Sequence, residues 1–110
     1  MNTFNKGKEA EKKAAEYLEK KGFKIIEFNF YCKGGEIDII AFKNNTFHFI
    51  EVKSGKNFEP IYNITPKKIS NITKCIYRYL LKNRIDSAYC ISAVIIKDDS
   101  IELYENLTMY

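Results

Sequence analysis

The sequence predicts an α/β domain in which a mixed β-sheet is flanked by helices, with elements in the order αβββαββ. Three observations lead there. Two segments carry apolar residues at helical spacing, and five short runs rich in Ile, Phe, Val and Tyr read as strands. The second helix separates the third strand from the fourth, which requires a crossover and hence a parallel pair beside an antiparallel meander. With 110 residues, 45% hydrophobic and 29% charged, the chain suits one domain, residues 1–110, around one core.

From Asn5 to Lys21, Ala10, Ala14, Tyr17 and Leu18 recur at helical spacing among Lys and Glu, and Gly22 stands where a C-cap glycine would. Phe23 to Phe30, Glu36 to Phe42 and Thr46 to Lys53 are successive strands, with Lys33-Gly34-Gly35 and Asn44-Asn45 as the turns between them. Ser54 to Asn63 reads as a loop. Thr65 is the N-cap and Pro66 the first residue of a second helix, whose apolar stripe is Ile69, Ile72, Ile76 and Leu80. Ala88 to Ile96 is a near-continuous apolar strand, and Ile101 to Tyr104 a short last one after the turn at Asp98-Asp99.

Composition narrows the function classes. A net charge of +4 permits an anionic partner without requiring one. No apolar run reaches the length of a signal peptide or a membrane span, so a cytoplasmic protein is expected. Cys32, Cys75 and Cys90 are odd in number and lack a C-x-x-C pair, and His48 is the only histidine. A Cys/His zinc site and disulfides are therefore disfavoured, and the cysteines are expected to be reduced. Neither phosphate-binding glycine pattern is present, which disfavours a nucleotide-binding enzyme.

The chemistry concentrates between Gly35 and Lys53. A two-residue hairpin turn at Asn44-Asn45 sets Asp38 opposite Glu51 and Glu36 opposite Lys53. Alternation then puts Asp38, Glu51 and Lys53 on one face with Ile40, Phe42, Phe47 and Phe49, and Ile37, Ile39, Ile50 and Val52 on the other. Opposed carboxylates repel, so something positive is expected between them. Mg²⁺ accepts carboxylate oxygens and can acidify a bound water, with Lys53 placed to position that water or to offset developing charge; Mn²⁺ suits the same ligands. Pattern alone fits a solvated sheet face about equally well, with Glu36 and Lys53 as a cross-strand ion pair.

Lys56, Lys67 and Lys68 are candidate nucleic-acid phosphate contacts, the last two because they sit at a helix N-terminus. Tyr62, Tyr77 and Tyr79 suit base stacking, with core packing the commoner fate. His48 has the parity opposite to Glu51 and should point away from the site.

These residues resemble a known family. Gly7-Lys8-Glu9, Ala14, Tyr17-Leu18, Gly22-Phe23, Asn29, Gly-Glu-Ile-Asp-Ile-Ile-Ala from Gly35, Glu51-Val52-Lys53, Thr65-Pro66-Lys67-Lys68 and Tyr79-Leu80 are similar to the YraN-like bacterial proteins. Those in turn look like PD-(D/E)xK endonucleases and archaeal Holliday junction resolvases. The resemblance implies a restriction-endonuclease-like fold and a metal-dependent nuclease, with DNA, branched DNA included, favoured over RNA, and a homodimer as the assembly. It makes Asp38 and Glu51 metal ligands, the Val52 carbonyl a further ligand, Lys53 the catalytic lysine and Glu9 an extra acid from the first helix. The alternative is a non-catalytic nucleic-acid-binding module with a nuclease-like fold. Ser54-Gly55-Lys56-Asn57 lacks the arginine often found after the lysine, and Ile69 stands where the family often has Gln, which bears on substrate preference.

Overall fold

The computed structural model describes residues 3–55, 64–98 and 100–107. Helix α1 (Thr3–Lys20) leads into strands β1 (Lys24–Cys32), β2 (Gly35–Lys43) and β3 (Thr46–Gly55); α2 (Pro66–Lys82) then precedes β4 (Ala88–Lys97) and β5 (Ser100–Tyr104). The five strands lie in chain order, β1-β2-β3-β4-β5. Among the described strands only the β3–β4 pair is parallel, as a helical crossover between those strands demands.

The β2–β3 hairpin has the expected register as far as Ile39 and Ile50, but the expected pairs Asp38–Glu51 and Glu36–Lys53 lie beyond the registered ladder. Asn44 and Asn45 both adopt positive φ, 52° and 59°, the pair of values that a turn matched to strand twist requires and that Asn tolerates. Ile39 therefore pairs with Ile50 and Phe42 with Phe47.

The helices cover opposite faces of the sheet. On the α1 side, Ala14, Ala15 and Leu18 pack on Phe23, Ile39, Ala41, Ile50, Val94 and Ile96. On the α2 side, Ile72, Cys75, Ile76 and Tyr79 pack on Phe30, Ile37, Ile40 and Phe49. Fully buried side chains such as Leu18, Phe49 and Ile76 each contribute roughly 1.5–3 kcal/mol by leaving water. The start of α2 is capped by Thr65, whose Oγ1 accepts the Lys68 N–H at 3.2 Å, with Pro66 at the first helical position.

Three expectations change. Ile37 belongs with Ile40 under α2, not with Ile39. The same change of face appears across the β1–β2 pair, where Phe28 is registered with Ile39 and Phe30 with Ile37. Between them Asn29 has a φ of 53°, so the two-residue step that keeps one face in a regular strand changes face here: Phe28 lies beside Ala15 and Glu19 of α1, while the Phe30 ring meets Tyr79 edge-on at 5.1 Å.

Cys32 and Cys75 are joined in a disulfide, with Cα atoms 5.5 Å apart, where reduced cysteines were expected. Their 43-residue separation in sequence concealed that the end of β1 is pressed against the middle of α2. Gly35 allows that approach: a Cβ there would lie 3.2 Å from both Asn71 O and Cys75 Sγ. Finally, the buried stripe of α2 runs through Ile69, Ile72, Cys75, Ile76 and Tyr79, with Leu80 only half-buried.

Candidate metal centre

The ends of β2 and β3 and the starts of the two helices enclose a cleft of about 610 Å³, lined by Glu11, Glu36, Asp38, Glu51, Val52, Lys53 and Lys68 among others. The β2–β3 register runs from the hairpin turn up to Ile39 and Ile50. One residue further, Asp38 Oδ2 accepts the Val52 backbone N–H at 2.8 Å. A side chain here does what a strand carbonyl does elsewhere in the ladder, which fixes the Asp38 carboxylate at the point where β2 and β3 part.

Asp38 is 9% exposed. Burial and the Glu51 charge push its pKa up to about 8, with Glu36 and Glu11 adding to the rise and the Val52 N–H opposing it. Glu51 Oε1 lies 3.4 Å from Lys53 Nζ and 3.8 Å from Lys68 Nζ. For Lys53, burial disfavours the charged form, but hydrogen bonding to Lys68 and the Glu51 carboxylate outweigh it and raise the pKa. Lys68 is lowered, by burial and then by its neighbour Lys53.

Two carboxylates join Asp38 from outside the E-x-K segment. Among the described residues, Glu11, Glu36 and Asp38 bring one carboxylate oxygen each to within 4.8 Å of one another. Glu51 stands apart from this trio, on the lysine side of the same cleft. The Asn29 side-chain amide donates to Glu11 Oε2 and to Glu36 Oε2, each at 3.0 Å.

The glutamate of α1 that lines the cleft is Glu11. Glu9 lies in a neighbouring concavity with Lys13, Ser54 and Gly55. Helical spacing carries the distinction: Glu11 precedes Ala14 by three residues and Leu18 by seven, on the stripe that meets the sheet, whereas Glu9 is five residues from Ala14 and points elsewhere.

Of the basic candidates, Lys68 turns into the cleft, Lys67 is exposed, and Lys56 lies outside the described residues. Tyr79 is buried and Tyr77 exposed; Tyr62 is also outside the described residues. His48 lies on the α1 side, its ring edge-on to Phe23 at 4.8 Å and its Nδ1 3.2 Å from both Ser92 Oγ and Cys90 Sγ. Burial lowers its pKa, consistent with a neutral packing residue.

Comparison with known proteins adds the family. The model of the uncharacterised protein family UPF0102 matches residues 10–96. The chain belongs to the UPF0102, or YraN-like, family. It is 55% identical to a UPF0102 protein of Helicobacter hepaticus over 99% of each chain. It is 52% identical to one of Helicobacter pylori strain HPAG1, over 94% of this chain and 90% of that one. A UPF0102 protein of Wolinella succinogenes is 50% identical, over 94% and 96%. The matched span of this UPF0102 protein contains every described cleft carboxylate and both cleft lysines. No described helix is long and apolar enough to cross a membrane.

Proposed function

We propose that this protein is a metal-dependent nuclease that hydrolyses phosphodiester bonds in nucleic acid, with DNA, branched DNA in particular, favoured over RNA. The observation that carries the reading is the convergence of Asp38, Glu51 and Lys53, from two adjacent strands, with Glu11 and Glu36 in one open cleft.

The donor set fits a hard divalent cation, because every candidate ligand atom is oxygen and three of the carboxylates lie close together; burial first, and then the charges of Glu51, Glu36 and Glu11, raise the Asp38 pKa. Asp38, Glu51 and the Val52 carbonyl would hold Mg²⁺, or Mn²⁺ with the same ligands, with Glu11 and Glu36 alongside. When bound, such a cation supplies Lewis acidity toward a phosphate and lowers the pKa of water. Lys53 orients the attacking water and offsets negative charge developing on the phosphate. Lys68 adds a second cation to the cleft, and Lys56 and Lys67 track the nucleic-acid backbone. A homodimer would present two such sites to two strands, and the cytoplasm is where these substrates are met.

A second reading, a nucleic-acid-binding module without turnover, is favoured by one observation: Glu51 Oε1 is already approached by both Lys53 and Lys68, so two ammonium groups compete with a cation for it. The experiment that separates the two incubates the protein with labelled linear, branched and single-stranded DNA and RNA, with Mg²⁺, with Mn²⁺ and with chelator. Metal-dependent cutting supports the nuclease; salt-dependent binding without cutting on any substrate supports the module.

A further inference from the structure

Two of the trio, Glu11 and Glu36, are held by a residue that is not a carboxylate, while Asp38 is held by the Val52 N–H. Asn29 Nδ2 donates to Glu11 Oε2 and Glu36 Oε2, both at 3.0 Å, and its Oδ1 accepts from Lys8 Nζ at 3.2 Å. One amide group thereby spans two acids that come from α1 and from β2, elements brought together only by the fold. Its two hydrogens are both spent, one on each acid.

We infer that Asn29 is the positioning residue of the cation site, its amide setting the Glu11 and Glu36 carboxylates against Asp38 so that all three face one divalent ion. The inference rests on the metal reading of the cleft given above.

Chemistry at this position leaves little choice of side chain. A lysine spanning the same two acids would also draw them together, but its charge would neutralise them and compete with the cation. A neutral amide orients the carboxylates and leaves their negative charge available. The backbone is equally selective. Asn29 sits at a φ of 53° within β1, a region visited readily by Gly and, among residues with a side chain, chiefly by Asn and Asp. Gly offers no donor, and Asp would add a third repelling carboxylate against Glu11 and Glu36. Asn alone of these meets the backbone and donates to both acids. Asn29 itself lies in the adjoining concavity beside α1, with Lys8, Glu11 and Phe28, and its amide reaches the cleft acids Glu11 and Glu36 from behind.

The test uses the whole chain and reads Mn²⁺ binding by calorimetry, which does not depend on turnover. Asn29→Gly keeps a residue at ease with the positive φ and deletes only the amide; Mn²⁺ affinity should fall by about 10–100-fold, the range for loss of a partner that orients metal ligands. Asn29→Ala loses the same amide and also meets the backbone cost, so it should melt at a lower temperature than Asn29→Gly yet bind Mn²⁺ with the same weakened affinity. Mn²⁺ binding by Asn29→Gly equal to that of the wild type would overturn the inference while leaving the metal reading intact. Failure of the wild type itself to bind Mn²⁺ would overturn both together, and is distinguishable for that reason.

Discussion

Asp38 Oδ2 accepts the Val52 N–H at 2.8 Å, one residue past the last β2–β3 register pair, Ile39 with Ile50. This bond joins the two halves of the sequence motif, the Asp on one strand and the Glu-Val-Lys on the next. It holds a carboxylate in a buried position beside Glu51, and the rise in the Asp38 pKa that burial and Glu51 cause has consequences for stability and for cation binding.

The first concerns pH in the presence of chelator. Folded Asp38 holds its proton up to about 8, against an ordinary value of 3.8. Between those values the folded state binds more protons than the unfolded one, so stability falls as pH rises. The stabilising contribution is complete below 3.8 and gone above about 8. Thermal melts across that window should show the decline in the wild type and a flatter profile in Asp38→Asn. An identical profile in both would contradict the assignment.

Cation binding should run the opposite way. A divalent ion requires the carboxylate form, so Mn²⁺ affinity should increase as pH rises toward about 8. Calorimetric titrations at several pH values check this, and a pH-independent affinity would show that Asp38 is not a ligand.

The two glutamates of α1 should part company. Glu11→Gln removes an oxygen ligand from the carboxylate trio and should weaken Mn²⁺ binding by about 10-fold or more, whereas Glu9→Gln, in the adjoining concavity, should bind as the wild type does. The same calorimetric measurement decides it, and the reverse ranking would restore the acid that the family resemblance suggested.

The disulfide between Cys32 and Cys75 closes a loop across a sequence separation of 43. Loop-closure entropy makes that worth up to about 4 kcal/mol, so reduction by a dithiol should lower the melting temperature by on the order of 10 °C. A melt unchanged by reductant would show that the two thiols are not bonded in solution.

Much of this architecture was legible in the chain. Asn44-Asn45 specified the hairpin and with it the pairing of β2 with β3; Thr65-Pro66 marked the start of α2; the single helix between β3 and β4 required their parallel pairing. What escaped was tertiary. Alternation alone kept Ile37 on the face of Ile39, because nothing local announces that the two residues pack in different clusters or that Asn29 across from them adopts a positive φ. The Cys32–Cys75 bond was hidden because spacing along the chain does not reveal which thiols the fold brings together. Glu11 was different, since its helical phase with Ala14 and Leu18 was available, and a glutamate on a buried stripe is a stronger sign of a site than one on the solvated face.

The most direct test of the nuclease reading separates cutting from holding. Lys53→Ala and Asp38→Asn should abolish Mg²⁺-dependent cleavage of labelled branched DNA while much of the salt-dependent DNA binding survives, because phosphate contacts elsewhere supply that affinity. Cleavage that persists in both variants, or a wild type that cuts nothing with Mg²⁺ or Mn²⁺, would contradict it.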